Sequence, residues 1–190
     1  DKFPNLVYMD CKEEDGFFPE LPTENVDLIY LCSPNNPTGT VATHHQLKKF
    51  VDFANDKNAV IIFDAAYAQF IRDPDLPRTI YEIEGAKNCA IEINSFSKWA
   101  GFTGVRLGWT IVPKELEVED SKHGELNNLW NRRQSTMFNG ASNIAQAGGI
   151  AVLSDNGKQQ NKELVDYYMT NAKIIHDGLN DAGFSVFGGE

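Results

Sequence analysis

The sequence predicts an α/β domain in three layers, αβα, with helices over both faces of a mostly parallel sheet. Three observations carry that prediction. Two runs, VDLIYLC (Val26–Cys32) and AVIIFD (Ala59–Asp64), are nearly unbroken in apolar character, as parallel strands covered on both faces tend to be. The segment between them has helical periodicity, so strand, helix and strand make a βαβ unit. The first run also stops at a loop rich in proline and asparagine, SPNNPTGT (Ser33–Thr40). The carboxyl ends of parallel strands are where such sheets hold ligands.

Each element has its own reason. In the first helix Thr43 is placed to cap, with Gln46 three residues on, the pattern of a capping box. Leu47, Phe50, Val51 and Ala54 then fall on one face. CAIEIN (Cys89–Asn94) and LGWTIV (Leu107–Val112) read as two further strands. After Pro113, KELEVEDSKHGEL (Lys114–Leu126) is acidic and is expected to be exposed. A helix should open near Ser142, since ASNIAQAGGIAVL is rich in small residues that allow close packing. A longer helix is expected from about Lys158 to Ala182, with Leu164, Tyr168, Ala172, Ile175 and Leu179 on one stripe and Gly183 as its stop. FSVFGG, from Phe184, reads as the start of a new strand. The predicted organisation is therefore a ligand-binding domain over 1–157, a long interdomain helix over 158–183 and the beginning of a smaller domain over 184–190. Asp1 is not an initiator methionine and DKFPNLVYMD shows no signal or transit pattern, so both ends read as cuts through a longer protein.

Composition excludes several classes of function. The 190 residues carry a formal net charge of −10, which argues against nucleic acid and anionic membrane as partners, since both need clustered Lys and Arg. One local arginine can still hold a small phosphate. No apolar run approaches the length of a membrane span, about 18 residues. Cys11, Cys32 and Cys89 are an odd number at spacings that match no zinc pattern, so no metal is expected. Cys32 and Cys89 lie in apolar runs and read as buried thiols of a reducing compartment.

The strand ends carry the chemistry. Asn36 closes the first, in a loop that on its own could be a mere turn. Asp64 closes the second; burying it after VIIF is costly without a partner, and it could either cap the following turn or face a cationic ring nitrogen. Tyr67, three residues on, can point into the same crevice. The third strand leads into Ser95, Phe96, Ser97 and Lys98. A lysine is most often a solvated surface residue, but this one has small, hydroxylated and aromatic neighbours. Arg106 with the two serines could grip a phosphate dianion through charge-assisted hydrogen bonds. A phosphorylated aromatic aldehyde would use every one of these groups, with the lysine forming a Schiff base, and pyridoxal 5′-phosphate is that ligand.

PNNPTG, DAAY and SFSK followed by GVRLG, in this order, resemble the class I/II aminotransferases, fold-type I pyridoxal-phosphate enzymes. The resemblance spans essentially the whole chain and implies the large domain of that fold. It implies Lys98 as the Schiff-base lysine, Asp64 on the pyridine nitrogen, and Asn36 with Tyr67 on the ring oxygen. Ser95, Ser97 and Arg106 would be phosphate ligands, with Phe96 beside them. Asn139 would reach the substrate site of the other subunit of a homodimer, although by itself it reads equally as a helix cap or a turn. GFFPEL, NSFSKWAGFTGVRLGWTIVPKEL, FNGASNIAQAGG and FGGE narrow the likeness to a lysine-pathway branch of the family. That branch implies amino transfer between LL-2,6-diaminopimelate and 2-oxoglutarate, in the cytoplasm or in the plastid stroma of a plant or alga. A lysine-acting defence-type aminotransferase, β-elimination on the same scaffold and the cofactor-binding sensor half of a transcription regulator remain as alternatives. The ring-stacking aromatic and the carboxylate-binding arginine of the family have no counterpart here, so these residues alone are expected to be inactive.

Overall fold

The computed structural model describes residues 6–188; the expectations placed on DKFPN and on the last two residues, Gly189 and Glu190, lie outside them. Its sheet has four strands among the described residues: β1 (Leu28–Cys32), β2 (Val60–Asp64), β3 (Ala90–Ser95) and β4 (Gly108–Ile111), in that spatial order. β1, β2 and β3 run parallel and β4 returns antiparallel along β3. The α/β class and the mostly parallel sheet are as the sequence predicts.

The first helix, α1 (His44–Lys57), starts where the capping residues require. Thr43 accepts from the Gln46 backbone N–H while the Gln46 side chain accepts from the Thr43 backbone. It ends at Asn58, in the left-handed region with φ of 53°. Leu47, Phe50, Val51 and Ala54 are buried against Ile29, Leu31, Ile61 and Phe63, the alternate positions of β1 and β2. The opposite face of β1 leaves Leu28 and Tyr30 56% and 57% exposed.

One carboxylate is buried in the sheet. Glu92 on β3 is 3% exposed, and burial is tolerated because its oxygens are supplied with donors: the Thr79 hydroxyl, the Ile80 N–H at 3.0 Å and the Asn94 amide at 2.7 Å. β4 lies tight on β3. A side chain at Gly108 would put its Cβ 2.8 Å from the Asn94 carbonyl oxygen.

Beyond β4, the acidic segment is mostly exposed, as expected, though not throughout. Leu116 is buried at 1%, because an apolar side chain between glutamates can still turn inward. α2 (Glu125–Arg133) runs into a wide turn, Gln134–Phe138, that stops at Asn139 with φ of 61°. α3 (Asn143–Leu153) is capped by Ser142 as anticipated. α4 (Asp155–Asp181) begins earlier than the stripe suggests, because Ser154 ends α3 and caps α4 at once. Only Val165 of α4 is buried; it joins Phe96 and Trp99, with Phe70, Phe102, Leu107, Trp109, Val152 and Met169 around them. Leu164 and Ala172 of the expected stripe are half-buried, whereas Tyr168, Ile175 and Leu179 are exposed. Residues 184–188 form no strand, which corrects the reading of FSVFGG: an extended run needs a neighbour to take its hydrogen bonds, and none pairs with it here. Among the described residues no helix is long and apolar enough to cross a membrane, and no group of His, Cys, Asp and Glu is arranged to hold a metal.

Candidate active site

The site is assembled from the segments that leave the carboxyl ends of β1, β2 and β3. After β1, residues 33–40 fold back on themselves. The Asn35 N–H donates to the Thr40 carbonyl at 2.9 Å, the Gly39 N–H donates to the Asn35 carbonyl at 2.8 Å, and buried Ser33 accepts from the Ala42 N–H at 2.9 Å. Both Ser33–Pro34 and Asn36–Pro37 are cis. So held, Asn36 donates from Nδ2 to the Tyr67 hydroxyl at 3.3 Å. The two residues expected to share one ring oxygen thus meet across strands whose ends they occupy.

After β2, Asp64 stands beside Cys32 in the register of the sheet. One of its oxygens, Oδ1, accepts from the Ala66 N–H at 3.1 Å, so it does brace the following turn. The other, Oδ2, accepts from the Tyr30 hydroxyl at 2.7 Å. Burial, followed by that hydrogen bond and the nearby charge, pushes the Tyr30 phenol up to about 12. Tyr30 is a contact of the site that reading the sequence missed. The signal was present: Tyr30 and Cys32 are two apart and therefore share a sheet face. What was lacking was the β1–β2 register that brings Asp64 to that face.

After β3 the chain makes a closed loop. The Phe96 N–H donates to the Leu107 carbonyl at 3.1 Å, the Thr103 hydroxyl donates to the Ser97 carbonyl at 2.9 Å, and Arg106 donates from Nη1 to the Thr103 carbonyl at 2.8 Å. Ser95 and Ser97 stand on one side of the neck of this loop, Arg106 on the other. Arg106 itself has φ of 64°, a conformation non-glycine residues seldom adopt. The Ser97 N–H donates to the Ser95 hydroxyl at 3.0 Å, and the Trp99 indole donates to the Ser95 carbonyl at 2.8 Å. Lys98 is left with its Nζ 5.5 Å from the centre of the Tyr67 ring, within cation–π range. Lys98, Tyr67, Asn36, Asp64 and Tyr30 are therefore gathered at neighbouring strand ends, Lys98 and Asn36 through Tyr67, and Tyr30 through Asp64.

Two of the expected site residues sit elsewhere. The Phe96 ring is 6% exposed and packs on Trp99, Phe102 and Trp109 with centroids 5.0–5.8 Å apart; it anchors the loop and offers no free edge. Asn139 is exposed in the turn after α2, and among the described residues no hydrogen bond ties it to the site. Of the thiols, Cys89 is buried as expected, Cys32 is half-buried and Cys11 exposed, all free.

The donor set fits a phosphorylated pyridine aldehyde: a primary amine, a carboxylate on a neighbouring strand end, an amide–phenol pair, and a guanidinium with two hydroxyls. Known proteins agree. A sequence model described as aminotransferase class I and II matches residues 16–190. An LL-diaminopimelate aminotransferase of Bacteroides fragilis is 53% identical over 99% of this chain and 46% of its own length. That of Bacteroides thetaiotaomicron is 54% identical over the same shares. The chain thus spans about half the length of the curated relatives it matches. Among solved structures, the L,L-diaminopimelate aminotransferase from Chlamydomonas reinhardtii superposes with a TM-score of 0.89 and 49% identity, over 96% of this chain and 45% of that one.

Proposed function

Because this chain belongs to the aminotransferase class I and II family, we propose that its site holds pyridoxal 5′-phosphate and that the complete protein is a PLP-dependent aminotransferase. It interconverts LL-2,6-diaminopimelate plus 2-oxoglutarate with tetrahydrodipicolinate, water and glutamate, and the physiological flow is the reverse of that direction, toward diaminopimelate and lysine. The convergence of Lys98, Asp64 and the Asn36–Tyr67 pair at three adjacent strand ends carries the chemistry. The relatives, all LL-diaminopimelate aminotransferases, support the substrate.

Bound there, the cofactor supplies an electron sink for breaking the Cα–H bond of an amino acid. The protein's own groups do the rest. Lys98 would hold the cofactor by its aldehyde carbon, and its amine, when free, would take the proton from the Cα of the amino acid. Asp64 keeps the proton on the ring nitrogen. Asn36 and Tyr67 hold the ring hydroxyl, and Ser95, Ser97 and Arg106 hold the phosphate. Phe96, buried beneath them, fixes the loop that presents Lys98. Asn139, exposed in its turn, is assigned to the substrate site of the second subunit in a homodimer. Partners are otherwise small amino and keto acids, without nucleic acid or membrane, in the cytoplasm or the plastid stroma.

The test uses the complete protein with cofactor bound. It is mixed separately with LL-diaminopimelate, lysine and aspartate in single turnover, and the loss of cofactor absorbance is followed. Rapid loss with LL-diaminopimelate alone, reversed by 2-oxoglutarate, is expected. Loss with lysine instead moves the substrate to the defence-type branch. Lys98→Ala should slow turnover about a thousandfold or more; full activity in that variant would remove Lys98 from the reaction.

A further inference from the structure

We infer that Tyr30 is a positioning residue that sets the orientation of the Asp64 carboxylate toward the ring nitrogen, an inference that rests on the cofactor reading above. Tyr30 lies on β1 two residues before Cys32, and Cys32 is the register partner of Asp64. Residues two apart on a strand share a face, so Tyr30 and Asp64 are diagonal neighbours, a distance that a long aromatic side chain spans. The bond is short, 2.7 Å from the phenol oxygen to Oδ2. An ionised carboxylate can only accept, so the phenol donates. It keeps its proton for that purpose well into alkaline solution, being pushed up to about 12.

Asp64 consequently has one donor on each oxygen, Tyr30 on Oδ2 and the Ala66 N–H on Oδ1. Either donor alone would leave the carboxylate free to turn about its Cβ–Cγ bond. Together they fix its plane. Each oxygen retains a second lone pair, so the ring N–H can still be accepted and meets an acceptor that needs no reorientation. Packing does not explain Tyr30. The core contacts of β1 are made by Ile29 and Leu31 on the opposite face, 3% and 5% exposed, whereas Tyr30 is 57% exposed.

The experiment compares the cofactor-free complete protein with its Tyr30→Phe variant, which loses the hydroxyl and keeps the ring. Two ligands are titrated: pyridoxal 5′-phosphate and its carbocyclic analogue, in which a C–H replaces the ring nitrogen. Tyr30→Phe should weaken cofactor binding about tenfold, the usual effect of losing a hydrogen bond to a charged group. It should leave binding of the analogue unchanged, because the analogue presents no N–H to Asp64. Unchanged affinity for both ligands overturns the inference. Equal weakening for both also overturns it, since that is what a merely structural role produces. Asp64→Ala separates this from the reading beneath it. If that variant too treats the two ligands alike, Asp64 does not hold the ring nitrogen, and the role of Tyr30 falls with it. If Asp64→Ala discriminates and Tyr30→Phe does not, only the role of Tyr30 falls.

Discussion

α1 and α4 are both amphipathic helices, and they end very differently. α1 has 14 residues and hides four of them completely against β1 and β2. α4 has 27 residues and buries one, Val165, while Ile174 and Ile175 remain 65% and 60% exposed. The apolar spacing is similar in kind. The difference is what each stripe meets: α1 is bracketed by the two strands it packs on, whereas the later turns of α4 run past the sheet. Periodicity says which face of a helix is to be covered and leaves open by what. The site stands at the border of the two: Tyr30, Asn36, Lys98 and Arg106 are exposed, but the strands that carry them are anchored by α1. All three strand ends that build it rise from the covered layer.

The sharpest way to break this comparison is to hollow out each half. Phe50→Ala, at a position 1% exposed, should cost about 3–5 kcal/mol in urea unfolding. Ile150→Ser, on α3 at 74% exposure, should change stability by no more than about 0.5 kcal/mol. Similar losses at the two positions would mean that the helical half is covered after all. Two glycines give a smaller contrast. Gly108→Ala drives a Cβ to within 2.8 Å of the Asn94 carbonyl, so β3 and β4 must part, at about 1–3 kcal/mol. Gly178→Ala on α4 meets nothing within 4 Å and should stabilise by about 0.5–1 kcal/mol through helix propensity. Thermal midpoints moving in opposite directions check both.

The smallest effect appears at alkaline pH and sits in the covered half. Burial pushes the Cys89 thiol from 9.0 up to about 11, and burial with the charge of Glu92 raises the Tyr81 phenol as well. The folded chain therefore holds these protons longer than the unfolded chain. Their contribution is intact below about pH 9 and declines as the pH climbs, because the unfolded state ionises first. The urea midpoint should be lower at about pH 10 than at about pH 8, and Cys89→Ala should flatten that fall.

Local features are the legible part of this fold. Thr43 with Gln46 and Ser142 announce helix starts because a cap is decided within four residues. The strand ends announce Asn36, Asp64, Tyr67 and Lys98 because each ends a run whose other members are apolar. Contacts that depend on register stay hidden. Tyr30 reads as one more β-forming residue until β1 is laid against β2. Phe96 reads as a ligand contact because it lies between two serines, but the loop turns its ring inward onto Trp109. Leu116 sits in an acidic run whose average character conceals one inward-facing side chain.

The shared cap at Ser154 has a mechanical consequence. With no linker between α3 and α4, and with a Cβ at Gly157 clashing against the Ala151 carbonyl, the two helices form one bent arm. The long limb, 27 residues, measures about 40 Å at 1.5 Å per residue. The short limb presses Gly148 and Gly149 against Phe102 and Leu107, two residues of the loop that carries Arg106. A swing of about 3 Å at the far tip of α4 is a rotation of only about 4° at Ser154 over that length. By the same lever rule, any displacement at the exposed end of α4 would reach the neck of the loop scaled down by the ratio of the two limbs.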